Sequence, residues 1–247
     1  MASFDYCSFT YTILEDTTNV QVNGLDAGVG VVDNPTIPDT VTNGGTQYTV
    51  MQIKDNAFQS KNLTGTLTIG NNITTIGICA FYLCTSLTKV TIHDSVTSIG
   101  SSAFRDCIGL TAVTIPDSVR TIGSSAFRSC TSLKAVTIPD SVTSIGNWAF
   151  GDCTSLTAAT IGNSVRTIGN FAFYGCTSLT EVYVVNSANI TTVNLNSFTD
   201  LSGGVNYEGS IISFGNSEDS VTGNWNIIKN YYQTQKYNYT PLVFIIN

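Results

Sequence analysis

Leu87-Thr-Lys-Val-Thr-Ile92-His-Asp-Ser-Val96-Thr-Ser-Ile99-Gly100-Ser-Ser-Ala103-Phe104-Arg-Asp-Cys107 decides the fold, because the same pattern restarts from Leu110, Leu133 and Leu156 at a 23-residue interval. Cys84, Cys107, Cys130, Cys153 and Cys176 keep the step, as do Phe81, Phe104, Phe127, Phe150 and Phe173. Self-similarity at a fixed period of this size is the signature of stacked repeats. A degenerate copy with Ile53, Ala57, Phe58 and Leu63 comes first, and a weaker one runs from Leu179 to Phe198. In the degenerate copy Phe58 to Leu63 is one residue shorter than Phe81 to Leu87. Leu63 to Ile69 is one longer than Leu87 to Ile92, so the two slips cancel within a constant coil.

Each unit reads as three segments. Val90-Thr91-Ile92 alternates as a strand with one buried face does. Pro-Asp-Ser at 116–118 and 139–141 is turn chemistry, in which Asp and Ser are expected to bond nearby backbone. Val-x-x-Ile-Gly is a second short extended segment. Ser-Ser-Ala-Phe-x-x-Cys predicts one tight helical or 3₁₀ turn, with Ser124 as its cap. A lone unit has too few apolar side chains to offset the entropy of ordering its backbone, so the coils must stack. The expected fold is a repeat solenoid, mostly β with short helical or 3₁₀ turns, of about six to seven coils of 23 residues whose strands form one parallel sheet.

Working outward, residues 51–199 make the solenoid, and both ends need caps because terminal coils expose core and strand edges. Residues 1–50 carry short alternating runs, Phe9 to Ile13 and Val20 to Val22, as a β-rich cap would. Residues 200–247 lose the repeat, and Trp225, Ile228 and Tyr232 fall at helical spacing, which predicts a mixed cap with a short helix.

Composition narrows the function. Only 11% of the 247 residues are charged, against about 25% in ordinary soluble proteins. The net charge is -7 and no basic run exists, which excludes the counterion-releasing chemistry of nucleic-acid binding. No stretch reaches the roughly 20 apolar residues of a membrane-spanning helix. Met1 to Asp5 has neither the basic region nor the apolar core of a secretory signal.

The unit Leu-x-x-Val-x-Ile-Pro-x-Ser-Val-x-x-Ile-Gly-x-x-Ala-Phe-x-x-Cys resembles the BspA-like, or Treponema pallidum-type, leucine-rich repeat. Pro116, Ser118, Val119, Ile122, Gly123, Ala126, Phe127 and Cys130 stand at its signature positions. The lead-in Ile37-Pro38, Val41, Gly45, Tyr48-Thr-Val50, Ile53 and Ala57-Phe58 is similar to the start of such arrays. The likeness covers roughly residues 36–198; His93, Gly70 and Gly162 replace proline, and Lys61 replaces cysteine. The resemblance implies a leucine-rich-repeat fold and a non-enzymatic binding module. Its members are mostly bacterial and protist surface proteins tied to adhesion, host-matrix binding and coaggregation, and others are intracellular or come from large viruses. It carries no catalytic residues and no cofactor. A cell-surface or secreted adhesin binding protein or glycan is therefore the leading expectation, and a cytoplasmic or virion-associated scaffold the alternative.

Cys79 and Cys84 are the sole close cysteine pair and lack the second pair of a zinc site. Stacked coils would hold successive cysteine Cβ atoms about 4.8 Å apart, too far for a disulfide, so the thiols read as buried apolar filler. His93, the single histidine, reads as a solvated turn residue with no partner for a triad. Asp94, Asp117 and Asp140 form a column at the 23-residue step; turn capping is preferred over weak calcium binding. No metal site is expected. Thr68, Thr91, Thr114, Thr137, Thr160 and Tyr183 line one outward stripe, with Lys89 and Glu181 beside it at opposite ends. Two readings of that stripe stand: a partner-binding face, and plain strand-forming threonines. An ice-binding threonine ladder is disfavoured, since a single Thr per coil faces out. Tyr231, Tyr232, Tyr237 and Tyr239 read as hydrophobic cap before sugar-binding patch. Asn62, Asn72, Asn189 and Asn238 open N-x-Thr sequons, which matter on a eukaryotic secretory route.

Overall fold

Threonine and β-branched residues at alternate positions favour a pleated strand, and the 23-residue step puts like on like. In the computed structural model, which describes residues 2–16, 18–184, 192–193, 195–198, 211–214 and 243–246, Leu87–Thr91 is such a strand. Leu87 and Val90 are buried, while Lys89 is exposed. It lies parallel between Asn62–Ile69 and Ala112–Thr114, with Val90 opposite Leu67 and Val113, and Thr91 opposite Thr68 and Thr114. On the other side of the coil the two-residue strands Thr75–Ile76, Ser98–Ile99, Thr121–Ile122, Ser144–Ile145, Thr167–Ile168 and Thr192–Val193 form a second parallel ladder. Its last step widens, since Ile168 pairs with Val193 rather than with a residue 23 later.

The two slips of the first copy are local devices. Register shifts between Leu87 and Lys89, opposite Gly65 and Thr66, and Gly65 stands at φ +72, so the irregularity falls inside the strand pair. The missing residue comes out of the corner, where Leu63 N–H reaches Lys61 O and the next coil's Leu87 N–H reaches Cys84 O.

The helical or 3₁₀ turn expected at each corner, with Ser124 as cap, is not what forms there. In the repeated coils the corner is a chain of β-turns: Ala103 N–H bonds Gly100 O, Arg105 N–H bonds Ser102 O, and Cys107 N–H bonds Phe104 O. The N–H groups between them, of Ser102, Phe104 and Asp106, point instead to the carbonyls of Ser124, Ala126 and Arg128 in the next coil. A helix would turn every N–H inward along its own axis. Here every second one ties two coils together, which requires left-handed residues such as Ser102 (φ 56) and Asp106 (φ 58). Ser124 caps nothing; its carbonyl receives Ser102. A 3₁₀ turn occurs at Leu195–Phe198.

Inside the coils each repeated side chain builds a column. Phe58, Phe81, Phe104, Phe127, Phe150, Phe173 and Phe198 stack with ring centroids 5.1–5.3 Å apart, and Phe9 closes the near end edge-on at 5.6 Å from Phe58. Glycine at the Ile-Gly position lets backbones meet: a Cβ on Gly123 would lie 2.6 Å from Ser101 N.

Antiparallel strands Ser3–Tyr6, Phe9–Ile13 and Asn19–Leu25 precede the array, and the last of these runs parallel to Thr46–Ile53, which itself starts the second ladder and crosses residue 50. Val31–Asp33 and Thr36–Ile37 cover the first edge of the strand face by pairing with Asn62–Ile69. Ile211–Phe214 and Val243–Ile246 continue that face in parallel beyond Glu181–Val184. The helix predicted over Trp225–Tyr232 lies outside the described residues, as do the four C-terminal tyrosines.

The single sheet expected on the strand face is interrupted. Ala112–Thr114 pairs with Leu87–Thr91 but not with Ala135–Ile138, which leaves two five-stranded sheets. Pro116 and Pro139 both lack an N–H, yet Ala112–Thr114 still pairs with the coil before it, so proline alone does not account for the break. The neighbouring bond is stretched: Lys134 N to Thr111 O is 3.3 Å, against 2.9 Å for Thr111 N to Thr88 O and for Thr157 N to Lys134 O. The opposite ladder stays intact, with Ile122 against Ile145, and the Phe127–Phe150 stack holds at 5.3 Å. The coils are therefore parted on one side only.

Candidate functional site

The stripe anticipated from sequence is assembled in two blocks. Thr68, Thr91 and Thr114 are in register, and so are Thr137, Thr160 and Tyr183. A second outward column runs beside each block: Thr66, Lys89 and Ala112 in one, Ala135, Ala158 and Glu181 in the other. Thr114, Thr137, Lys89 and Glu181 are exposed; Thr68, Thr91, Thr160 and Tyr183 are half-buried. The two most accessible threonines thus flank the interruption.

Between the blocks lies a cleft of about 500 Å³. Val113, Ile115, Ala135, Ile138 and Pro139 give it an apolar lining. Thr114, Thr137 and Thr160 add hydroxyls, and Asp117 and Asp140 stand at its side. Sequence reasoning named the threonines and missed the cleft. Proline was no guide to it, since Pro116 stands at a step that stays paired.

The Pro-Asp-Ser corners bond differently from the expectation of local turn capping. Ser95, Ser118 and Ser141 donate to Ile73 O, Val96 O and Val119 O at 2.6–2.7 Å, each in the preceding coil. Asp140 Oδ1 accepts the N–H of Asn163 at 2.7 Å, one coil ahead, and Asp39 does the same for Asn71. These residues therefore hold coil to coil, because the neighbouring backbone lies nearer than the residue's own turn. Among the described residues, neither Asp117 nor Asp140 forms an ion pair, and no group of three or more His, Cys, Asp or Glu side chains gathers as a metal site would.

The cysteine column is buried and reduced, and it has a polar duty besides filling space. Cys84, Cys107, Cys130, Cys153 and Cys176 donate to the carbonyls of Phe58, Phe81, Phe104, Phe127 and Phe150 at 3.1–3.2 Å. Burial pushes the Cys84 thiol up from 9.0 to about 12, and those of Cys107, Cys130 and Cys176 well above their ordinary value. Those four are not nucleophiles at neutral pH. His93 is half-buried at its corner, its carbonyl taking the N–H of Val96 at 3.1 Å.

A charged and aromatic cluster that sequence reasoning also missed sits on a turn corner. Arg128 lies 4.0 Å over the Trp148 ring and pairs with Asp152 at 3.0 Å, while Phe171 stacks on Trp148 at 4.7 Å. Gly151 makes room for the indole, since a Cβ there would meet it at 2.6 Å. Both faces of the Trp148 ring are thus occupied by the protein itself.

Coils of 23 residues, each with one short strand on a parallel face and a stacked phenylalanine–cysteine core, define a leucine-rich-repeat β-solenoid. No helix among the described residues is long and apolar enough to cross a membrane. The chain belongs to the family described as BspA type leucine rich repeat region, which matches residues 51–180 and 99–217 in six copies. Leucine-rich-repeat proteins are generally protein-interaction modules. The chain is similar in structure to the leucine-rich repeat protein of T. pallidum, with a TM-score of 0.64 and 24% identity over 79% of this chain and 93% of that one. A leucine-rich repeat protein of Bacteroides capillosus matches with 32% identity and a TM-score of 0.43, covering 48% of this chain and 86% of its own. A leucine rich cell surface protein of Faecalibacterium prausnitzii matches with 21% identity and a TM-score of 0.47, covering 92% and 97%. No curated protein matches the sequence.

Proposed function

We propose that this protein is a non-enzymatic binding module of adhesin type, engaging a protein or glycan partner through the strand face, with the cleft between Thr114 and Thr137 at its centre. The interruption of the sheet carries this reading. An unbroken threonine ladder offers a flat surface, whereas a recess of about 500 Å³ lets a partner bury an anchor. Buried anchors supply most of the binding energy at interfaces. Lys89 and Glu181, exposed at opposite ends of the face, give it a polarity that would orient the partner. Family membership supports protein as the partner class, and the family's association with adhesion supports a surface or secreted placement.

The test is a binding screen of the purified chain against matrix proteins, glycans and host-cell surfaces. It is run beside a Thr114→Lys/Thr137→Lys variant first shown to unfold at the same urea concentration as the parent. Binding that the variant loses is the expected result. Binding that it keeps moves the site off the strand face, and no binding to any extracellular probe sinks the adhesin reading.

A further inference from the structure

We propose that the cleft takes a basic side chain, lysine or arginine, projecting from an extended segment of a protein partner. The inference rests on the strand face being the binding surface and adds the chemistry of what enters it. The lining is apolar where a stem of methylenes would lie, from Val113, Ile115, Ala135, Ile138 and Pro139. Long cationic side chains are suited to such a site because they bury their stems and keep the charged head among polar groups. At the side of the cleft stand two carboxylates, Asp117 and Asp140, one from each of the parted coils. Both are exposed, and neither is neutralised by an ion pair among the described residues.

Asp117 and Asp140 hold equivalent positions one coil apart, so a single cation seated between them is offered both carboxylates. Asp140 is held in place by the Asn163 N–H on its Oδ1, which leaves its Oδ2 for a ligand. The hydroxyls of Thr114 and Thr137 flank the same opening and can accept from an ammonium or guanidinium. The basic residues near by do not fill this role: Lys134 belongs to the same coil but does not line the cleft, and Lys89 sits beside Ala112, one coil back. An acidic or neutral side chain would leave the two carboxylates uncompensated, and the net charge of -7 favours approach of a basic partner from a distance.

The full chain, labelled with ¹⁵N, is titrated with Nα-acetyl-lysine methylamide and with its norleucine and glutamate counterparts, and backbone amide shifts are followed. The lysine compound is expected to move the amides of Val113–Ile115 and Ala135–Ile138 in a saturable way, and to bind at least fivefold more tightly than the norleucine compound. Raising NaCl from 50 to 500 mM should reduce that margin. Asp117→Asn and Asp140→Asn should each weaken the lysine compound about threefold, and the double variant about tenfold. Asparagine keeps an oxygen for the Asn163 N–H, so the corner is retained. Equal binding of the lysine and norleucine compounds, tighter binding of the glutamate compound, or no shift at the cleft overturns the inference. Loss of partner binding in the Thr114→Lys/Thr137→Lys variant would in each of those cases leave the strand-face reading standing.

Discussion

At Gly100, Gly123, Gly146 and Gly169 the backbone of the preceding coil occupies the place where a side chain would begin, at 2.5–2.7 Å. The obstacle is rigid main chain rather than a flexible side chain, so the coil spacing itself must give. Gly123→Ala is expected to cost about 1–3 kcal/mol, as overpacking does, read from urea unfolding followed by far-UV circular dichroism. Leu83 poses the converse case. It is 37% exposed and held at φ 61, a conformation that costs an L-residue about 1–2 kcal/mol, and Gly175 fills the equivalent position four coils later. Leu83→Gly is therefore expected to be neutral or stabilising by up to about 1 kcal/mol after glycine's own entropy is counted. Leu83→Ile, β-branched at a left-handed position, should destabilise. The thiols give a pH prediction. Burial raises the folded pKa values of Cys84, Cys107, Cys130 and Cys176, to about 12 for Cys84, above an ordinary value of 9.0. A raised acid binds its proton more tightly when folded, so its contribution is complete below pH 9 and is lost as pH climbs from there toward 12. Unfolding free energy should fall above pH 9 by up to about 1.4 kcal/mol per pH unit for each such thiol. Cys107→Ala should reduce that slope.

Among the elements, the strand face was legible in the sequence and the corner was not. Register follows from one number, because a constant step forces Thr91 onto Thr68 and Thr114 wherever the ladder runs, and the one irregularity lies opposite Gly65. The corner misled because Ser-Ser-Ala-Phe looks locally like a cap followed by a helical turn. Its fate is decided by the next coil's carbonyls, Ser124 O and Ala126 O, which local reading does not see. The cleft was hidden for a related reason. It depends on how two neighbouring coils meet, and Pro139 repeats Pro116, whose step stays paired. Pro139→Ala supplies an N–H at the interrupted step. Amide exchange over Ala112–Thr114 and Ala135–Ile138 should slow, and the 3.3 Å bond from Lys134 N to Thr111 O should shorten toward the 2.9 Å of its neighbours. Exchange is the suitable readout, since removing proline also loosens the unfolded chain and blurs a simple stability comparison.

For the molecule as a whole, stacking means that each coil is stabilised chiefly by its two neighbours, so opening can begin locally and spread along the array. Five of the seven cysteines are placed one per coil, each sealed in the core and each bound to the coil before it. Cys7 is exposed and Cys79 half-buried. A thiol reagent added to the native protein should consume Cys7 at once and Cys79 next. In mild urea, peptide mapping of the labelled chain should find the five core positions modified in spatial sequence, from an outer coil inward, rather than together. Simultaneous modification would mean that the array unfolds as one block. The sulfur column is thus a row of chemical reporters already installed by the repeat, one in each of five successive turns of the spiral, able to record where along the axis the protein first comes apart.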